Sequence, residues 1–224
     1  MRFQGKKIAT LVAEGVEDLE YYVPMMRLQE EGAQVFTAAL DVKLIHGKNG
    51  LELKPDMKIE SLKADDLFAL ILPGGWAPDK LRRYPAVTDL VRTMDSQGKT
   101  IGIICHAGLI AISAGIMKGR RATGSLGIKD DLVNAGATWV DEAAFREGNL
   151  VWGRVVADIP DFCRELVQAL EGGAGLALDG KGKRGPTYRH VGDHADLLYV
   201  ARGADDTRIT VGQIRDLQGA LRLR

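Results

Sequence analysis

The chain has 224 residues, of which 46% are hydrophobic and 27% charged, a composition typical of a globular protein with one good-sized core. Its 30 Lys and Arg residues balance 30 Asp and Glu residues, so the charge pattern does not indicate a nucleic-acid partner. Two cysteines are too few for a disulfide framework, and no spacing of Cys and His predicts a metal site, so we expect no metal and no cofactor.

The first part of the chain predicts a strand–helix–strand unit. The apolar stretch Lys7–Val12 is too short for the core of a signal peptide and leads to Glu14, so it predicts a buried strand. No run approaches the roughly 18 apolar residues of a membrane span, and we expect a cytoplasmic protein with no membrane partner. Residues 17–31 have helical spacing, with a kink expected at Pro24, and Gln34–Ala39 is the next predicted strand.

A hairpin and a further strand follow. Val42–His46 and Leu51–Leu53 predict two short strands around a turn at residues 48–50, which we expect to form an edge or a lid. Ala69–Leu72 predicts a buried strand that ends in a pair of glycines. Loops at the carboxyl ends of such strands are where α/β sheets place their binding sites. A helical stretch over 79–98 leads to the next strand.

The rest of the chain is organised around residues 100–108, TIGIICHAG. A buried strand ends there in Cys105 and His106, and the apolar run at 109–116 predicts a helix. A sharp strand-to-helix turn lifts its side chain above the sheet and directs backbone N–H groups toward it, as in a nucleophile elbow. Such surroundings lower the pKa of a thiol from about 8.5 into the range of roughly 3.5–7.5. Cys105 is therefore predicted to be a reactive thiol; the alternative is a small buried hydrophobic residue.

The second half of the chain predicts shorter elements before its composition changes. A short helix, two short strands and an amphipathic helix over Pro160–Leu170 are expected, with Cys163 as a core residue of that last helix. These elements predict one alternating α/β domain with a parallel sheet at residues 1–171. Residues 172–186 are rich in Gly and Lys, which indicates a linker, and 187–224 form a C-terminal extension of unknown role.

Four segments together carry a resemblance to a known family. They are EGVEDLE at 14–20, LPGGWAPDKLR at 72–82, IICHAGLIAISAG at 103–115 and GIKDDLVNAGATWVD at 127–141. From about residue 6 to residue 170 the chain resembles the ThiJ/PfpI superfamily, and more closely its PfpI branch of intracellular proteases, general stress proteins and glyoxalase-type deglycases. The resemblance implies a three-layer, doubly wound, mostly parallel α/β sheet of the flavodoxin-like and class I glutamine-amidotransferase-like type.

The resemblance also implies a catalytic cysteine. Cys105 matches the family nucleophile, and His106 matches the catalytic histidine. Glu17 matches the glutamate that reaches the thiol from the start of the first helix. Because a carboxylate beside a thiolate is a like-charge pair, we expect Glu17 to be protonated, with a raised pKa. Glu20, one turn further, is interpreted as a charged residue of the helix surface.

Loop residues complete the implied site. Gly75, preceded by Gly74, and the backbone after Cys105 match an oxyanion hole, whose N–H groups stabilise a negative oxygen. Trp76 is predicted either to wall the pocket or to pack at a subunit interface. Asp79 matches the carboxylate that orients the histidine from the facing subunit. The resemblance therefore implies a homodimer or a larger homo-oligomer.

Two departures from the family pattern concern the pocket. Ala107, in the segment that would line the oxyanion hole, stands where close relatives usually have Gly. Ser125 stands where they often have an aromatic residue, which predicts a wider or more polar pocket. Asp79 is also one methylene shorter than the Glu of other members. These differences bear on the identity of the substrate more than on the cysteine chemistry.

Several functions remain open from the sequence. The first is an enzyme in which a thiolate attacks a carbonyl while the histidine moves the proton. Its substrate is a small α-oxoaldehyde or glycated adduct (a cofactor-independent glyoxalase or deglycase), or else a peptide, which would require an open groove. The second is a non-enzymatic stress protein whose Cys105 is oxidised as a redox sensor. The third is a binding or scaffolding role of residues 172–224.

Overall fold

The computed structural model of the chain describes residues 1–172, and the predicted extension at 187–224, with the linker after Gly172, lies outside the described residues. The strands are β1 Lys7–Leu11, β2 Gln34–Ala39, β3 Ile45–His46, β4 Glu52–Leu53, β5 Met57–Lys58, β6 Ala69–Leu72, β7 Thr100–Ile104, β8 Arg121–Ala122, β9 Thr138–Trp139, β10 Ala144–Glu147 and β11 Leu150–Gly153. The α-helices are α1 Asp18–Glu30, α2 Ala77–Leu81, α3 Pro85–Ser96, α4 Gly108–Ser113, α5 Lys129–Asn134 and α6 Ile159–Glu171.

Seven of the strands form one sheet in the order β10–β11–β7–β6–β1–β2–β5. Each neighbouring pair is parallel except β10 with β11. The chain winds from β1 to β2 in one direction and through β6, β7 and β11 in the other, which makes the sheet doubly wound. The predicted fold class is therefore confirmed. The pairs β3–β4 and β8–β9 form two small separate sheets.

Helices supply apolar side chains to a core on each side of the sheet. One cluster contains Leu28 of α1, Phe162 of α6 and Ile71 of β6. The other cluster contains Ile110 of α4 and Leu70 of β6. Successive residues of β6 thus point into different cores, which explains why this strand is a continuous apolar run rather than an alternating one. Helices α1 and α6 also contact each other.

Some elements differ from the sequence-based predictions. The helical stretch at 79–98 is two helices, α2 and α3, because Pro85 begins α3 and Tyr84 before it is extended. The strands of the predicted hairpin are shorter, at Ile45–His46 and Glu52–Leu53. Strand β10 was not predicted, since its segment lacks a clear apolar alternation. Cys163 is buried among core residues, as predicted.

The described helices can be compared with the length and apolar composition that a membrane-spanning helix needs. None of the helices between residues 1 and 172 is long and apolar enough to cross a membrane.

Candidate active site

The predicted site lies at the carboxyl edge of the sheet. Strands β1, β6 and β7 are adjacent and parallel, so the loops that follow Leu11, Leu72 and Ile104 lie at the same edge. A bridge between Val16 and Gly75 joins the first two of these loops directly. The fold therefore brings together the three segments that the sequence singled out.

Cys105 has the backbone conformation of a nucleophile elbow. It follows β7, begins a short 3-10 turn over residues 105–107, and has a φ of 60°. Among residues 1–172 no other non-glycine residue has a positive φ. A left-handed conformation costs a residue with a side chain about 1–2 kcal/mol, and such residues cluster at functional sites. The neighbouring loop supports this conformation, since the Ser125 N–H donates to the Cys105 carbonyl at 3.2 Å.

Three groups from the turn and the glycine loop face the sulfur. The Sγ of Cys105 lies 3.2 Å from Nδ1 of His106. The backbone N–H groups of His106 and Gly75 point toward the thiol and favour its charged form. The thiol is thus surrounded by one imidazole and two backbone donors, as an attacking sulfur and a developing oxyanion require.

The carboxyl group beside the thiol belongs to Glu20. This side chain is fully buried, and its Oε2 accepts a hydrogen bond from the Gly74 N–H at 2.7 Å. Its Oε1 is buried without a hydrogen-bond partner among the described residues. Burial raises the pKa of Glu20 to about 7, while the Gly74 N–H and the Cys105 thiol act in the opposite direction. Glu20 can therefore both hold and release a proton at neutral pH.

Glu17 occupies a different place from the one that the resemblance implied. Its Oε1 accepts a hydrogen bond from the side-chain amide of Asn49 at 2.8 Å, and its Oε2 lies 3.3 Å from Nζ of Lys48. Glu17 precedes the first residue of α1 and has an extended backbone, whereas Glu20 lies within the helix. The structure therefore corrects the expected position: Glu20, not Glu17, lies against the sulfur. The interpretation of Glu20 as a charged residue of the helix surface is wrong, because its side chain is fully buried. A catalytic role for Glu17 stays a prediction.

The thiol and the histidine are both held toward their neutral forms. Burial raises the pKa of Cys105, and the negative charge of Glu20 adds to this effect. The expectation of a lowered thiol pKa is wrong for this arrangement, because it considered the N–H groups of the turn but not burial or a second buried acid. Burial, and next the charge of Lys48, lower the pKa of His106. The Cys105 thiol and the Glu20 carboxyl group are in such close contact that they titrate as a pair.

The two glycines after β6 allow the close approach of the loop to the thiol. A Cβ atom on Gly74 would lie 2.8 Å from Cβ of Cys105 and 2.6 Å from Oε2 of Glu20. Gly75 has a φ of 74° and lies directly against the backbone of residues 15–17. A side chain at Gly74 would thus displace the groups around the sulfur.

The remaining predicted residues lie in different surroundings. Trp76 packs on Gly15 and is 60% exposed, so it is not a core residue. Ala107 is fully buried in the core. Asp79 is half-exposed on α2 and pairs with Arg83. The predicted wall or interface role of Trp76, the oxyanion role of Ala107 and the contact of Asp79 with a neighbouring subunit stay predictions.

The turn between β3 and β4 is hydrogen-bonded to the start of α1 beside the site, which the sequence did not predict. The Asp18 carboxylate accepts the N–H groups of Asn49 and Leu51 at 2.7 and 2.8 Å, and the Lys48 N–H donates to the Val16 carbonyl at 2.8 Å. Burial raises the pKa of Asp18, but these hydrogen bonds outweigh burial and the net pKa is lowered. In the sequence, the available signal was Asp18, an acid at the start of the first helix, together with the two glycines of the turn, Gly47 and Gly50.

Within residues 1–172, no group of three or more His, Cys, Asp and Glu side chains is arranged to hold a metal ion.

The chain is similar in sequence to proteins of a known family. Residues 6–169 match the model of the DJ-1/PfpI family. A deglycase of Pyrococcus horikoshii, PH1704, is 41% identical over 165 residues, which cover 74% of this chain and 99% of that protein. General stress protein 18 of Bacillus subtilis is 35% identical over 170 residues, which cover 75% and 99% of the two chains.

Solved structures show the same fold. A two-domain protein of Anabaena variabilis, with a DJ-1/ThiJ/PfpI-like domain and a ferritin-like domain, matches with a TM-score of 0.73 and 32% identity. The match covers 80% of this chain and 52% of that one. DJ-1 of Schizosaccharomyces pombe shares the fold at a TM-score of 0.67 and 22% identity, over 72% of this chain and 90% of that one.

Proposed function

Because the chain belongs to the DJ-1/PfpI family, we propose that it is a cysteine-dependent enzyme that acts on reactive carbonyl compounds. Its reaction is of the deglycase or cofactor-independent glyoxalase type. The observation that carries the proposal is the strained backbone of Cys105, which holds its thiol among His106, Glu20 and the N–H of Gly75. Relatives named deglycase, such as that of Pyrococcus horikoshii, support the reaction class.

The first step is addition of the thiol to a carbonyl. The Sγ atom of Cys105 forms a bond to the carbonyl carbon, the C=O π bond breaks, and its electron pair moves to the oxygen. The thiol proton passes to His106 or Glu20 and then to this oxygen, which gives a hemithioacetal. The backbone N–H groups of Gly75 and His106 stabilise the negative oxygen while it forms.

Conversion of an α-oxoaldehyde then requires a proton to move between neighbouring carbons. A base removes the hydrogen from the carbon bound to sulfur, and protonation of the next carbon gives a thioester of a hydroxy acid. Water hydrolyses this thioester and releases the free thiol. Glu20 suits the role of base and acid, because its pKa of about 7 lies near the working pH.

Consumption of methylglyoxal without glutathione tests the proposal. We expect turnover by the wild-type chain and none by Cys105→Ala with an unchanged circular dichroism spectrum. Cys163→Ala is the matched control and should retain turnover, since Cys163 is a buried core residue and is not one of the groups, Glu20, His106 and Gly75, that face the Cys105 thiol. Equal turnover by wild type and Cys105→Ala would contradict the assignment of the nucleophile.

Assays on the same purified protein distinguish this enzyme from the two alternatives that the sequence left open, a redox sensor and a peptidase. A redox sensor oxidises at Cys105 once per chain and shows no steady-state consumption of a carbonyl substrate. A peptidase cleaves unstructured peptides in a manner that depends on Cys105. The relative named general stress protein 18 is compatible with either an enzymatic or a sensing role.

A further inference from the structure

Lys48 brings a positive charge to the candidate site. It lies in the turn between β3 and β4, and its side chain is 43% exposed. Its charge lowers the pKa of both Glu20 and His106. The turn that carries Lys48 is joined to the loop at the thiol, because the Lys48 N–H donates to the Val16 carbonyl and Val16 is bridged to Gly75, whose N–H points toward the sulfur.

The position of this ammonium group is defined by the fold. The Lys48 N–H donates to the Val16 carbonyl, and the next residue, Asn49, is bound through its backbone to Asp18 and through its side chain to Glu17. Gly47 lies so close to the Asp18 carboxylate that a side chain there would collide with it. These contacts hold the backbone of the turn against the start of α1. The backbone that carries Lys48 is therefore already in place before a ligand binds.

Lys48 retains hydrogen-bonding capacity for a ligand. Its ammonium group has three donors, and Glu17 is the acceptor that it contacts among residues 1–172, at 3.3 Å. Glu17 also accepts from the Asn49 amide, so this carboxylate keeps a donor when Lys48 shares its charge with another anion. The half-exposed side chain gives a ligand access from solvent.

We propose that Lys48 is a specificity-determining residue of the Cys105 site, and that its ammonium group binds a carboxylate carried by the substrate next to the carbonyl carbon that the thiol attacks. The inference rests on the proposed function, because it takes Cys105 as the nucleophile. Among the reactive carbonyl compounds that the site accepts, it predicts tighter binding of those with a carboxylate bonded to the carbonyl carbon than of neutral ones such as methylglyoxal. The charge of Lys48 acts on both Glu20 and His106. A charged, hydrogen-bonded contact of this kind discriminates an anion from a neutral analogue.

Glyoxylate is the simplest probe of this class, since its aldehyde carbon is bonded directly to a carboxylate. The Sγ–C bond forms, the C=O π bond breaks, and the thiol proton ends on the new hydroxyl group, so the hemithioacetal forms without an oxidant or reductant. Glyoxal has the same carbon skeleton without the charge and is the neutral comparison.

Alkylation of Cys105 measures how the charge of a reagent affects its reaction with the thiol, and it does not require turnover of a substrate. Iodoacetate and iodoacetamide are similar in size and differ in charge, and mass spectrometry of the Cys105 peptide gives the rate constant for each. We expect Lys48→Met to lower the ratio of the iodoacetate rate to the iodoacetamide rate about fivefold, as for loss of one partly exposed ion pair. Lys48→Arg should keep the ratio, and so should Lys43→Met, which removes a charge that is 82% exposed and paired with Asp41.

A second measurement uses protection of Cys105. Glyoxylate should protect the wild-type thiol from iodoacetamide at lower concentration than glyoxal does, and Lys48→Met should remove this difference. Alkylation of Cys105 by iodoacetamide in Lys48→Met, with an unchanged circular dichroism spectrum, shows that the variant keeps its fold and an accessible thiol. If Cys105 is alkylated but its charge preference is the same in wild type and Lys48→Met, the role of Lys48 is overturned and the proposed function stands. If neither reagent modifies Cys105 in the folded chain, the proposed nucleophile and this inference both fail.

Discussion

The fully buried carboxyl group of Glu20 and the partly buried thiol of Cys105 lie side by side, and the N–H of Gly74 donates a hydrogen bond of 2.7 Å to the carboxyl group. Once one of these two acids is ionised, its negative charge raises the cost of ionising the other, so the proton on one determines the charge of its neighbour. A thiolate at Cys105 is compatible with this arrangement when Glu20 carries the proton. The reactivity of the sulfur therefore depends on a residue of the first helix, 85 positions earlier in the chain.

Glu20→Gln should make the thiol more acidic and the enzyme slower. The amide keeps the shape and removes the negative charge that raises the pKa of Cys105, so that pKa should fall. The amide cannot transfer a proton, so turnover of methylglyoxal should fall about 10²–10⁴-fold. The pH dependence of iodoacetamide alkylation gives the first quantity and steady-state kinetics the second.

Glu17→Gln is the matched control for this variant, because Glu17 is also a buried acid at the start of α1 but binds Lys48 and Asn49. It should change the thiol pKa much less than Glu20→Gln does. An equal or larger change in Glu17→Gln would show that Glu17 is the acid coupled to the sulfur.

Glu20 should also make the fold less stable as the pH rises. Its pKa is about 7 in the folded chain against an ordinary value of 4.5, so between these values the folded state binds more protons than the unfolded state. The free energy of unfolding should therefore fall by about 3 kcal/mol as the pH rises from roughly 4.5 to 7, and little below or above this window.

Urea unfolding of wild type and Glu20→Gln at pH 5 and pH 8 measures this contribution. The variant should lose less stability than wild type between the two pH values, because it has no proton to release at this position. Parallel curves for the two proteins would show that Glu20 does not titrate in this range.

Gly74→Ala should damage both the site and the stability. The added methyl group would lie 2.8 Å from Cβ of Cys105 and 2.6 Å from Oε2 of Glu20, so the loop must shift, at a cost of about 1–3 kcal/mol. Turnover should fall at the same time, since the shift moves the N–H that orients Glu20. Urea unfolding and methylglyoxal kinetics measure the two effects.

Gly98→Ala separates the stability effect from the site. Gly98 has a φ of 66° and no atom within 4 Å of its would-be Cβ, so alanine there brings backbone strain of about 1 kcal/mol and no collision. This variant should be less stable and fully active. Full activity in Gly74→Ala as well would mean that the loop position does not matter for the reaction.

Asp79 should act across a subunit interface. We expect sedimentation to show a homodimer or larger assembly, and Asp79→Ala and Cys105→Ala each to be inactive alone. When the two variants exchange subunits, a Cys105 from one chain meets an Asp79 from the other, so activity should return in part. A fully active monomer, or no recovery after proven subunit exchange, would exclude the shared site.

Much of the fold could be predicted from local patterns. The apolar run of β6, buried on both faces, and the alternation of strands and helices are set by side chains close together in the chain. The prediction of one helix over 79–98 was wrong, since it gave the helical periodicity more weight than Pro85, whose ring restricts the residue before it.

The sequence by itself determined where the sharp strand-to-helix turn lies, because a buried strand that ends in Cys105 and a following small-residue helix require such a turn at that position. The resemblance assigned the acid beside the thiol to Glu17 rather than Glu20, because the local sequence offers little to distinguish two acids at the start of the same helix. The tertiary structure decided this, because Glu17 precedes the helix and meets Lys48, while Glu20 lies one turn in and meets Gly74 and the thiol. The same holds for the pKa of Cys105, which depends on burial and on a carboxyl group that only folding brings to the sulfur.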